Sequence, residues 1–215
     1  MRKTSALITA LLCVFVAQGQ SVREHFLAVP DTLLPYLDKG KLVEMIDLYD
    51  IKRNAVNDSL MDASVNNRLG GTSVIDTLTA DYLRLRLNSH ATWEMKLLPS
   101  GEPADSASQI IATSLTVKGD KPESKVSLYT TDWKLLSDTI FTSKSLLEKP
   151  EMMSDEEFQA KLEQISLVLW SANFSPDDND LMLTPSLLFV PYDKKEEFLP
   201  LKMQRKLKLC NDKFK

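Results

Sequence analysis

The feature that most constrains the fold is a run of two-residue periodicity in the middle of the chain. Leu83, Leu85 and Leu87 alternate with Arg84, Arg86 and Asn88, and Ala91, Trp93, Met95 and Leu97 alternate with Thr92, Glu94 and Lys96. Successive side chains of a β-strand point to opposite faces, so this pattern specifies strands with one apolar face and does not fit a helix. The intervening NSHA (Asn88 to Ala91) reads as a hairpin connection. Arg84 and Arg86 are then expected beside Glu94 on a solvated face, where cross-strand pairs contribute about 0.2–1 kcal/mol each.

The same period begins near Ser59 and resumes after the polar loop LPSGEPADSAS. Ile111, Thr113, Leu115 and Val117 share one face, GDKPES turns the chain, and Val126 and Leu128 open the next strand. Gly70-Gly71 reads as a tight turn between strand-like segments. Strands joined by such short connections fold as an antiparallel meander.

Helical signals flank this block. Ser21-Val22-Arg23-Glu24 has the form of a capping box and opens a short helix that must end near Pro30, and Asp31 is placed to cap a further turn through LLPYL. After Gly40, Leu42, Met45, Ile46 and Tyr49 recur at helical spacing. Ser154-Asp155-Glu156-Glu157 is a second capping box, with Met153 and Phe158 placed as a hydrophobic staple and Phe158, Leu162 and Ile165 as the inner face. Leu167 to Phe174 is apolar on both alternate sets and reads as a central, doubly covered strand. Pro185 suggests an edge or bulge, and Leu201 to Leu209 alternates like a strand protected by lysines. The expected fold class is α+β: a meandering antiparallel β-sheet with helices packed on one face. The order helices, strands, helix, strands hints at two weakly related α+β halves, with a sub-division near 142–153.

Residues 1–19 have the form of a secretory signal peptide: Arg2 and Lys3, an apolar run from Ala6 to Ala17, and small residues at Ala17 and Gly19. Acylation at Cys13 would want a small residue before it, where Leu12 stands. Residues 20–215 are expected to form a single α+β domain with no further membrane-length apolar segment. The formal charge of the chain is −4, and loss of Arg2 and Lys3 makes the remainder more acidic, so nucleic acid is not an expected partner. Cys210 is the one cysteine outside the leader, which leaves no intrachain disulfide.

Candidate chemistry is sparse. Two histidines, His25 and His90, give little material for zinc sites or for Ser-His and Cys-His pairs. No G-x-S-x-G, H-E-x-x-H, Walker or G-x-G-x-x-G motif occurs. Ser175-Pro176-Asp177-Asp178-Asn179-Asp180 clusters carboxylates, but it lacks the central Gly and distant Glu of a calcium loop and reads as a hairpin turn. No metal ligand, cofactor or catalytic residue is expected. Tyr129, Asp132 and Trp133 form a candidate binding cluster at a strand end, where aromatics can stack on sugars or anchor a peptide. Alternatively, Trp133 folds back over the sheet edge.

The triplet Asp-Ser/Thr-aliphatic occurs with Thr32, Ser59, Thr77, Ser106 and Thr139 as its hydroxyl residues. It resembles the O-glycosylation acceptor pattern of exported Bacteroidetes proteins; ordinary cap and turn chemistry is the alternative. The segments FLAVPDTLLPYLDKGKLVEMIDLYD, NNRLGGTSVIDTLTADYLRLRLNSHATWEMKLLP and SQIIATSLTVKGDKPESKVSLYTTDWKLL, spanning about residues 25–136, resemble a family of exported Bacteroidetes proteins of unknown function. That resemblance implies a bacterial source and a periplasmic or outer-membrane-associated location, and brings no catalytic residue or ligand.

The expected role is non-enzymatic binding of a ligand or partner, an envelope protein or glycan. A hydrolase acting on envelope polymers and a structural or assembly protein of the envelope are the alternatives. Two carboxylates facing across a cleft would favour hydrolysis, an apolar or aromatic groove would favour binding, and a flat apolar patch would favour assembly.

Overall fold

The computed structural model describes residues 21–55, 62–100, 109–190, 192–210 and 213–215. The leader, Ser59 and Ser106 therefore lie outside the described residues.

Helix α1 (Val22–Leu27) starts with the expected capping box, in which Ser21 and Glu24 satisfy each other's backbone N–H groups. Helix α2 (Lys39–Asn54) begins one residue before Gly40, because the Asp38 carboxylate accepts from the Lys41 N–H at 3.0 Å and sets the cap there. Arg23 clamps Asp50 bidentately at 2.7 and 2.9 Å and ties α1 to α2. Between the helices, the further turn expected through LLPYL forms, but the Asp31 side chain does not cap it. The chain makes turns closed by Leu33 N–H to Pro30 C=O and Leu37 N–H to Leu34 C=O, with Leu34 and Leu37 buried.

Seven strands follow in simple meander order: β1 (Val65–Asn66), β2 (Thr72–Leu78), β3 (Tyr82–Asn88), β4 (Ala91–Pro99), β5 (Gln109–Lys118), β6 (Pro122–Thr130) and β7 (Leu135–Ile140). Every pairing is antiparallel, and Arg84 sits opposite Glu94 as its place in the sequence implies. The β1–β2 turn uses Gly70 at φ +75°, where a side chain would be strained. Leu83, Leu85, Trp93, Met95 and Ile111 on one face pack against Val22, Phe26, Leu42, Met45 and Ile46 of α1 and α2. Phe26 and Trp93 meet ring to ring at 6.2 Å. Each such aliphatic or aromatic side chain contributes about 1.5–3 kcal/mol by leaving water, so this face anchors the two helices.

The opposite face of β4 to β6 is not solvated, although Arg84 and Arg86 of β3 reach water as expected. Thr92, Glu94 and Lys96 are 3, 1 and 1% exposed, because a second sheet lies over them. That sheet has the order β10-β9-β8, from β8 (Leu167–Phe174), β9 (Leu181–Leu188) and β10 (Arg205–Leu207). Helix α3 (Asp155–Gln164) joins it, capped by Ser154, and Met153, Phe158 and Ile165 share one core with Val168, Trp170, Val126 and Leu128. Leu147, from the 142–153 segment, is buried in the same core. The result is three layers: helices, a seven-stranded sheet and a three-stranded sheet.

Strand β8 departs from the expected central position; it is an edge strand of its own sheet. Its unpaired edge is satisfied by side chains of the larger sheet. The Ala172 N–H donates to Ser124 Oγ at 2.8 Å, Ser114 Oγ donates to the Ala172 carbonyl at 2.7 Å, and the Phe174 N–H donates to Glu94 Oε2 at 2.8 Å. Buried backbone groups must find partners, and here polar residues on a buried sheet face supply them. Pro185 falls in β9 beyond the three residues paired with β10, where the missing N–H breaks no ladder on that side.

The C-terminal alternation does not build one long strand. Tyr192–Lys202 forms a 3-10 helix, β10 is three residues long, and Leu209–Cys210 (β11) pairs with Lys213–Phe214 (β12). Leu201 and Leu207 are both buried while Met203 is 53% exposed, so burial rather than strict alternation selects the conformation.

Candidate ligand-binding site

The sequence-derived cluster is only partly brought together. Tyr129 at the end of β6 and Trp133 in the β6–β7 turn meet as tilted rings, centroids 5.4 Å apart and planes at 56°, while Asp132 is exposed. The turn is closed by Trp133 N–H to Thr130 C=O and Thr130 N–H to Lys134 C=O, both at 2.9 Å. It holds Trp133 at φ 61°, the position a three-residue hairpin ordinarily gives to Gly. The indole packs against the helix-facing core, so the fold-back alternative is the geometry found. His25 of α1 is 2% exposed beside this turn, close enough to feel Asp132, and burial holds its imidazole below the ordinary pKa.

Among the acceptor candidates, Thr32 is exposed in a turn, Thr77 is half-buried in β2 next to a register shift, and Thr139 is exposed on β7. Thr77 and Thr139 thus stand in strands, where cap and turn chemistry does not account for them. The SPDDND segment is a hairpin turn between β8 and β9. Ser175 N–H donates to the Asp180 carbonyl at 3.1 Å, and Asp178 Oδ1 accepts from the Asp180 N–H at 2.9 Å. Lys206 lies 3.6 and 3.5 Å from Asp178 and Asp180 and neutralises part of their charge.

A buried polar cluster that the alternation disguised as a solvated face lies where this hairpin meets the large sheet. Lys96 Nζ donates to the Pro176 carbonyl at 3.0 Å and pairs with Asp81 at 2.9 Å. Arg84 lies 3.4 Å from Glu94 Oε1 without hydrogen-bond alignment, so that oxygen has no hydrogen-bond partner. Burial raises the Glu94 carboxyl above the ordinary carboxylate range, against the Phe174 N–H and Arg84, which lower it. The Tyr82 phenol is raised by burial and by Glu94. Glu94, Lys96 and Tyr82 are buried, and Glu94 and Lys96 fasten one sheet to the other, while Arg84 and Asp81 reach water.

The concave surface of chemical interest is elsewhere, at the far end of β9. A cavity of about 350 Å3 is lined by Asp120 and Lys121 from the β5–β6 turn, by Leu187 to Val190, and by Lys195, Phe198 and Lys202 of the 3-10 helix. Its volume lies at the lower end of ordinary ligand pockets. Three residues per turn put Lys195 and Phe198 on one side of the 3-10 helix. Phe198 is fixed by burial and by Lys161 over its ring, 5.2 Å from the centroid. Phe189 is held at φ 57° and is 77% exposed. A bulky residue in the left-handed region is an outlier, and this one stands at the edge of the cavity. No sequence signal pointed to it, because a Gly or Asn announces such a conformation and a Phe conceals it.

Three cations and one acid surround apolar walls, and Asp120 is the sole carboxylate among the described lining residues. Another hollow, about 530 Å3, lies between 144–147 and α3, but its lysine, Lys144, is spent on the Leu162 carbonyl at 3.1 Å. Among the described residues no cluster of three or more His, Cys, Asp or Glu is placed to hold a metal, and no helix is long and apolar enough to cross a membrane.

Fold and cavity together define a three-layer α+β module carrying an amphiphilic surface pocket. The chain belongs to the family described as protein of unknown function (DUF3256), which matches residues 14–205, so the likeness expected from residues 25–136 extends over nearly the whole length. Among solved structures it is similar to a domain of an uncharacterized protein from Porphyromonas gingivalis W83, a Bacteroidetes bacterium. The two share 19% identity and a TM-score of 0.58 over 89% of this chain and 95% of that one, a likeness of fold alone. Among the curated proteins none matches the chain.

Proposed function

We propose that this chain is an exported, non-enzymatic binding module of the cell envelope, periplasmic or outer-membrane associated, whose ligand occupies the cavity beside Phe189. The observation that carries the reading is the cavity's composition: apolar walls from Leu187, Phe189, Val190 and Phe198, cations around them, and no second carboxylate among the described lining residues to face Asp120 across it. Hydrolysis of a glycosidic polymer by acid–base chemistry would want two carboxyl groups about 5–9.5 Å apart in the cleft. The leader-like residues 1–19 support export.

The test is made on protein expressed with its own leader in a Bacteroidetes host. Cell fractionation and native mass spectrometry of the purified protein are expected to find it in the envelope fraction carrying an unmodified small molecule. Cytosolic retention, or release of cleaved products from envelope polymers, overturns the reading. An assembly role is favoured by one separate observation: Leu135, Leu136 and Ile140 are exposed on β7, an edge with no further strand beside it among the described residues.

A further inference from the structure

We infer that the ligand of this cavity is a single-tailed anionic amphiphile: one hydrocarbon body with a carboxylate or phosphate head. The inference rests on the binding reading above and adds the chemical class. Leu188, Phe189 and Val190 offer side-chain surface that hydrogen-bonds to nothing, backed by the buried Leu187 and Phe198, so the enclosed part of the ligand is apolar. Lys121, Lys195 and Lys202 are exposed and surround it from two separate segments, the β5–β6 turn and the 3-10 helix. Among the described residues Lys121 and Lys202 have no ion-pair partner, whereas Lys206 and Lys125 are engaged with aspartates of their own neighbourhood. A chain with formal charge −4 that gathers three lysines around one apolar hollow, with Asp120 as the lone acid there, favours an anion at that point.

Phe189 is the second observation. Its left-handed backbone turns the ring outward at the pocket edge, where 77% of it meets water. Strain at an exposed aromatic gives the free protein no packing in return. A hydrocarbon tail laid into the cavity would cover that ring and recover the contact.

The experiment is titration calorimetry of residues 20–215 with four twelve-carbon probes below their critical micelle concentrations: dodecanoate, dodecyl phosphate, dodecyltrimethylammonium and dodecyl maltoside. The carboxylate and phosphate probes are expected to bind, the cationic one is expected not to, and comparison of the two anions distinguishes a fatty-acid-like head from a phospholipid-like one. Lys121→Glu with Lys202→Glu is expected to weaken anion binding about tenfold, since each rim ion pair is worth a few-fold in affinity. Phe189→Gly is expected to weaken every bound probe while leaving the melting temperature unchanged or higher. If the cationic or neutral probe binds as well as the anions and Phe189→Gly weakens it, the ligand class fails and the pocket reading stands. If no probe binds, both fail.

Discussion

Replacement of Glu94 separates two explanations of how the sheets are held together. Its Oε2 accepts the Phe174 N–H at 2.8 Å on the free edge of β8, and the residue is 1% exposed. Glu94→Ala leaves that buried donor without a partner, at about 1–3 kcal/mol, and opens a small cavity worth about 1 kcal/mol more. Arg84, more than a third exposed, turns to water and adds little. The expected loss is about 2–4 kcal/mol, or about 5–15 °C in melting temperature for a chain of this size. Glu94→Gln keeps an acceptor of the same shape and is expected to cost under about 1 kcal/mol.

Urea unfolding with amide exchange at Phe174 measures both variants. Protection of that one amide is lost in the alanine variant and kept in the glutamine variant. The pH dependence supplies an independent check. Because the folded pKa of Glu94 is raised, the folded state binds its proton more tightly than the unfolded chain, whose carboxyl titrates near ~4.3. The resulting stability is fully present below that value and is lost as pH rises through the raised folded pKa. Glu94→Gln removes this slope, so the wild type is expected to fall relative to the glutamine variant as pH rises out of the acid range. Equal losses for Ala and Gln, or an alanine loss under about 1 kcal/mol, would refute the argument that the carboxylate serves as a backbone partner.

Other perturbations test neighbouring parts of the same structure. Ser124→Ala removes the acceptor of the Ala172 N–H and the 2.6 Å partner of Thr116, and is expected to cost about 1–3 kcal/mol by urea titration. Lys96→Ala frees the β8–β9 hairpin by leaving the Pro176 carbonyl without its donor, at about 1–3 kcal/mol, while Asp81, 46% exposed, turns to water and adds little; exchange is expected to rise first at the residues of the turn. Intact-mass measurement of protein secreted by a Bacteroidetes host is expected to show added hexose-scale mass, reduced by Thr32→Ala and Thr139→Ala, whose hydroxyls stand on exposed residues; an unmodified mass ends the glycosylation reading.

The helices and the meander were legible because local chemistry decides them. Ser21 and Ser154 cap where they stand, and the Leu83–Leu87 and Trp93–Leu97 alternation has one apolar face whatever covers the other. The second layer was hidden for the same reason. Thr92, Glu94, Lys96, Ser114 and Ser124 form a polar face, and polarity along a strand signals water unless a strand edge comes to use it. Strand β8 was misplaced because an apolar run records burial and not the identity of the neighbour. It lies against side chains where a ladder was expected. The cavity was invisible because its residues lie far apart in sequence, from Asp120 to Lys202, and its lip depends on a backbone angle.

Two aromatic residues with positive φ make the functional argument sharper. Trp133 and Phe189 each accept strain of about 1–3 kcal/mol in a region that favours Gly. For Trp133 the return is internal, since its ring meets Tyr129 at a tilt and packs against the helix-facing core. Phe189 has no such return, because its side chain is largely in water. Phe189→Gly should therefore stabilise the free protein by up to about 1 kcal/mol, whereas Trp133→Gly should destabilise it, because the lost aromatic packing exceeds the strain relieved. If both variants were stabilising, strain alone would account for the two positions. If Phe189→Gly were destabilising, the ring would be a structural element, and the case for a ligand at the end of β9 would lose the observation that separates this cavity from an ordinary surface hollow.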